Sequence, residues 1–120
     1  MRYADVLLIA AEAANEAGNS AKALEYVNMI RKRARGNNNF ILKDLTITNQ
    51  AELRTAIRKE RRVELAMEQL RWFDLKRWGI QNETLTKVGK TFVNNKHELF
   101  PIPQTEVDLT DGGLVQNPGY

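Results

Sequence analysis

Apolar residues recur too densely near the start of the chain for a helix lying on a protein surface. Tyr3, Val6, Leu7, Ala10, Ala11, Ala13 and Ala14 predict a helix over 2–17 that is apolar on more than one face. Such a helix belongs between neighbours. Gly18 and Asn19 end it, because glycine accepts the left-handed conformation that follows many helix C-termini. Ser20 is the expected N-cap of a second helix over 21–35. Its residues Ala23, Leu24, Val27 and Ile30 share one face at i, i+1, i+4 and i+7. The two helices form a short-linked antiparallel hairpin.

The pattern then changes. Gly36 and Asn37 to Asn39 break the period, and Phe40 to Thr48 has too few turns of any period to be assigned. Asn49 or Thr48 caps a third, heavily charged helix expected over 50–69, and 70–78 continues it directly or after a bend until Gly79. Residues 80–97 read as polar loop, with a short strand at Thr91–Val93. Leu99-Phe100-Pro101-Ile102-Pro103 is extended, since proline disfavours helix at the residue before it. The tail to Tyr120 is turn chemistry without a helix. The fold class is therefore all-α: a helical hairpin (1–36), a charged helical block (50–79) and an irregular, extended tail (80–120).

The spacing of small and large residues in the hairpin, Ala11, Ala14, Gly18, Ala23 and Val27, resembles a tetratricopeptide repeat in which the bulky aromatic positions are mostly replaced. Such repeats bury their faces by stacking, and about three are needed. One is visible, so the remaining partners of the first helix are expected elsewhere in a larger assembly.

Composition narrows the functions. The chain has 120 residues, no cysteine and a net charge of +3. Thiolate metal sites, disulfide frameworks and cysteine nucleophiles are excluded. Bases and acids interleave throughout, whereas a nucleic-acid surface needs segregated bases; no nucleic-acid partner is expected. Asp5 and Glu12 interrupt the apolar run after Arg2, so the start reads as a folded helix with no export or lipid-attachment signal.

Candidate chemistry is sparse. Glu60 and Glu64 share a helical face with Leu53, Ile57 and Met67, which suggests a carboxylate metal or acid–base pair. Bundle metal sites of that kind need Glu-x-x-His motifs on facing helices, and the one histidine, His97, lies in a predicted loop. The favoured reading pairs both glutamates with arginines, either Arg71 or those of Arg31–Arg35. Arg58, Arg61 and Arg62 point in different directions and read as a solvated, ion-paired face. Trp72 and Phe73 project about 100° apart on a helix, so at least one is buried, and with Trp78 they read as anchors rather than a sugar platform. No phosphate loop, nucleophile elbow, metal site or cofactor motif is present. A small peptide-binding helical-repeat scaffold, with a groove lined by Asn15, Asn19 and the outer face of the first helix, is the main rival.

Three segments carry a resemblance. Arg2-Tyr3-Ala4-Asp5-Val6-Leu7-Leu8, then Glu60-Arg61-Arg62-Val63-Glu64-Leu65-Ala66 with Arg71 to Gly79, and finally Leu99 to Gln104 with Gln116 to Tyr120 resemble, in order, blocks of the SusD/RagB family. The resemblance covers the last portion of such proteins only. It implies a tetratricopeptide-like helical fold, no catalysis, and a non-enzymatic role in capturing oligosaccharide at the cell outer membrane. The implied partner is a SusC-like TonB-dependent porin. Ligand contacts are implied to lie mainly outside these residues, so no ligand-binding position is assigned; Glu60, Glu64, Arg71, Trp72, Phe73 and Trp78 are carried over as structural.

Overall fold

A computed structural model describes residues 1–120 as two compact units, Met1–Gln69 and Leu70–Tyr120. All regular structure is helical.

Unit 1 holds α1 (Tyr3–Glu16), α2 (Ser20–Arg35) and α3 (Gln50–Glu64). Two backbone bonds close α1, from Asn19 N–H to Ala14 O (2.8 Å) and from Gly18 N–H to Asn15 O (3.0 Å), with Gly18 at φ +79°. This double closure needs a left-handed residue at that point. Because Gly18 completes it, Asn19 becomes the first residue free to cap α2. Its Oδ1 accepts from the backbone of Lys22 at 3.0 Å, and Ser20, expected as the cap, is the first helical residue instead. Asn49 caps α3, accepting from the backbone of both Ala51 and Glu52 at 3.0 Å.

The core sits where α1 meets α2 and α3, around Ala11, Ala23, Val27, Leu53 and Ile57, with Leu45 and Ile47 of the α2–α3 connection packed against it. Leu8 and Ile30 are also fully enclosed. The alanines let backbones approach closely, and each large aliphatic side chain removed from water contributes about 1.5–3 kcal/mol. One side of α1 is used this way. Its other side, including Tyr3, Val6 and Ile9, faces outward.

The third helix is shorter than its pattern predicts. It stops at Glu64, and Met67 and Gln69 take left-handed backbone (φ 67° and 60°) in the turns that follow. Met67, expected on the apolar face, is 98% exposed. Helical spacing no longer applies to it: the helix ends at Glu64, and Leu65, still in register with Leu53, Ile57 and Arg61, is the last buried apolar residue of the unit.

Unit 2 holds three short helices, α4 (Arg71–Arg77), α5 (Gln81–Thr86) and α6 (Gln104–Leu109). Helix α5 lies in the stretch read as loop, α6 in the tail read as turns. The strand expected at Thr91–Val93 is absent; Val93 N–H is bonded instead to His97 Nδ1 within a tight turn (3.0 Å). Leu75 is the buried apolar side chain of this unit.

Candidate functional site

Charged residues of unit 1 gather at the two ends of the α1–α3 pair. At one end, Arg61 donates to Asp5 at 2.6 Å, and both are almost wholly buried. Here the reading of Arg61 as solvated fails. Leu53, Ile57 and Arg61 recur every four residues, so the arginine occupies the buried face of α3 and faces the one acid in the first turn of α1. Beside it, Arg2 donates to Glu64 Oε1 (2.9 Å), to the Glu64 carbonyl (2.8 Å) and to Glu68 (2.9 Å). Arg33 reaches both Glu64 oxygens at 2.7 Å. Burial opposes the charge on Glu64, but the bonds from Arg33 and Arg2 outweigh it and hold the carboxyl below its ordinary range.

At the other end, Asn15 and Gln50 exchange side-chain-to-backbone bonds: Asn15 Nδ2 to Gln50 O at 3.1 Å, and Gln50 Nε2 to Asn15 O at 2.7 Å. Glu16 and Arg54 pair through two bonds of 2.5 and 2.6 Å, which lower the Glu16 pKa. Asn15 is completely enclosed, so it cannot line a peptide groove.

The two glutamates singled out from sequence are engaged by guanidinium groups. Glu60 accepts from Arg31 at 2.7 Å, and Glu64 from Arg33 and Arg2. No group of three or more His, Asp or Glu side chains forms a cation cage. Arg71, the other arginine considered for the glutamates, lies on α4 with its guanidinium 5.9 Å from the Trp78 ring; Arg77 stacks on the same ring at 4.7 Å. Trp72 is half-buried against Phe92 (6.2 Å between ring centres), which meets His97 edge-on at 5.7 Å. Phe73 turns outward and is 64% exposed.

The last two sequence blocks hold each other. Pro101 and Pro103 leave the extended segment short of N–H donors, so a paired strand cannot form across it. Side-chain amides take that role. Gln116 accepts from Ile102 N–H and donates to Ile102 O, both at 2.8 Å, while Asn117 donates to Phe100 O at 2.6 Å and the Tyr120 hydroxyl to Leu99 O at 3.1 Å. Gly119 lies at φ +84°, and a methyl group on it would come within 3.0–3.1 Å of the Lys96 side chain.

Between the start of α1 and the end of α2 lies a recess of about 450 Å³, floored by Leu7, Met29 and Ile30 and rimmed by Tyr3, Arg2 and Arg33. Both arginines are bound to carboxylates, so the recess presents mainly hydrocarbon. It opens on the end of α1 from which the outward apolar side chains Tyr3, Val6 and Ile9 begin.

The SusD family model matches residues 1–97, and the chain belongs to the SusD family. SusD-like protein P2 of Formosa agariphila is 42% identical over the whole chain, and SusD-like protein P25 of the same organism is 37% identical over 99% of it. A crystallised SusD homolog from Bacteroides thetaiotaomicron is 39% identical and superposes with a TM-score of 0.83. A SusD-like protein from Bacteroides fragilis is 33% identical with a TM-score of 0.77. The chain spans about a quarter of the length of each of these relatives.

Proposed function

We propose that this chain is the C-terminal, supporting part of a non-catalytic SusD-type protein that captures glycan at the outer-membrane surface and passes it to a SusC-like TonB-dependent porin. Family membership supports the nutrient-binding role. The observation carrying the structural part is the outward apolar side of α1 with its adjoining hydrocarbon recess. Its area has no counterpart within unit 1, and it suits the stacking of further helices of the kind that relatives about four times as long would supply. Glycan selection then rests mainly on segments outside these 120 residues, by shape and by aromatic stacking. The glutamates and arginines of the clamps hold helices together and perform no chemistry.

Titration calorimetry with a panel of oligosaccharides tests this directly. The 120-residue chain is expected to show no tight site, whereas the longer protein containing it binds. Micromolar glycan affinity in the short chain would place recognition here and overturn the supporting role. Co-purification of the longer protein with a TonB-dependent porin checks the partner.

A further inference from the structure

A second recess, of about 380 Å³, lies on unit 1 under the α2–α3 connection. We propose that it is a docking site for an acidic polypeptide segment of a partner protein, which seats one aliphatic side chain in the recess and sets its carboxylates against the surrounding ammonium and guanidinium groups.

The recess is built rather than incidental. Two arginines of α2 fasten the connection over it. Arg31 donates from Nε and Nη2 to Lys43 O (2.9 and 2.7 Å) and from Nη1 to Glu60 (2.7 Å). Arg35 donates to Leu42 O at 3.1 Å and pairs with Asp44. So held, Leu42 keeps a left-handed backbone at φ 45°. That conformation is costly for a side chain branched beyond Cβ, and it persists where surrounding bonds over-determine it, commonly at ligand clamps. Leu42, Leu45, Ala56 and Val63 form the walls. Val63 is 68% exposed although it lines a concave surface, and Phe40, two residues before Leu42, is 93% exposed.

The polar groups decide the occupant. Arg31 and Glu60 bond to each other and leave little for sugar hydroxyls, and the walls carry no aromatic face for stacking. Lys59 is the lining group without an ion pair, and Arg62 follows it one turn along the exposed side of α3. The wider field agrees: residues 1–69 hold twelve Lys and Arg against nine Asp and Glu, and residues 70–120 hold six of each, so the whole +3 belongs to unit 1. An aliphatic anchor with flanking carboxylates complements this surface in both shape and sign. The inference is independent of glycan capture.

The probe is a fluorescein-labelled peptide with one central leucine between runs of glutamate, titrated into the 120-residue chain and followed by fluorescence anisotropy. Saturable binding is expected. It weakens about tenfold in Val63→Asn and in Lys59→Glu, both at exposed positions, and about tenfold when the peptide's leucine becomes serine or its glutamates become glutamines. Circular dichroism of the two variants is expected to match the parent chain. Absence of saturable binding overturns the proposal, as does equal binding of the serine or glutamine peptide, or affinity that neither variant changes. Displacement of the bound peptide by an oligosaccharide would assign the recess to sugar and overturn it too.

Discussion

Units 1 and 2 solve the same problem, fixing a chain in place, by opposite means. Unit 1 encloses Leu8, Ile30, Leu53, Ile57 and a set of alanines, then clamps both ends of its helix pair with ions and amides. Unit 2 buries Leu75 as its one aliphatic and relies on amide-to-backbone bonds, arginine–tryptophan stacking and a Trp72–Phe92–His97 contact. Non-directional burial tolerates many sequences with the right pattern, whereas directional bonds need particular residues. The second unit is therefore specified by motif rather than by periodicity.

The sharpest break in this comparison is Arg61→Ala. It leaves Asp5 as a buried charge with its guanidinium removed, and the expected loss is about 3–5 kcal/mol, read as the shift in urea denaturation followed by circular dichroism. Replacing both partners together, Asp5→Leu with Arg61→Met, should restore most of it. A double variant as unstable as the single one would show that the pair contributes more than mutual neutralisation. Leu53→Ala comes next, at about 2–5 kcal/mol, since the site is fully enclosed. A loss below about 1 kcal/mol would mean that the unit 1 core is loosely packed.

Gln116→Leu probes the other strategy. It removes both bonds to Ile102, for an expected cost of about 1–3 kcal/mol. Amide exchange should accelerate at Ile102 while the α1–α3 amides stay protected. Unchanged exchange at Ile102 would show that the prolines alone fix the extended segment. Acid gives a smaller effect with a defined sign. Glu64 and Glu16 have folded pKa values below their ordinary range, so their stabilisation is present above the unfolded value of about 4.3 and is lost as pH falls through the folded values. The Glu83 pKa is also lowered, by Lys87, but that pair is fully exposed and screened by salt. Between pH 7 and 3 at 150 mM salt, unit 1 amides should lose more protection than those of unit 2.

What was legible follows the same division. Helical periods located α1 and α2 within a residue or two, because their apolar faces settle their conformation. The end of α3 was not legible. Leu65 to Leu70 contains no glycine, proline or asparagine, and these helix-favouring residues nevertheless leave the helix through left-handed Met67 and Gln69. Arg61 was readable and missed: its register with Leu53 and Ile57 puts it on the inner face, and Asp5 stands alone among apolar neighbours. Helices α5 and α6 are too short for a period to register. The Gln116–Ile102 and Asn117–Phe100 bonds join positions 14 and 17 residues apart, a pairing that no local pattern encodes. The order of the family's blocks pointed to these residues without saying what they touch.

Phe73 gives the finest test, because the effect expected is close to none. Neighbouring helical residues project about 100° apart, so α4 cannot enclose both Trp72 and Phe73. Trp72 turns toward Phe92, and Phe73 is left 64% exposed. Phe73→Ser is expected to change stability by no more than about 0.5 kcal/mol, measured by urea denaturation of the 120-residue chain. A loss above about 2 kcal/mol would reveal an aromatic core in unit 2 and remove much of its contrast with unit 1. In the longer protein proposed above the same substitution separates a free ring from a covered one. A small effect in the short chain and a large one in the long protein would mean that another segment closes over Phe73, as stacked helices are proposed to close over the outer side of α1.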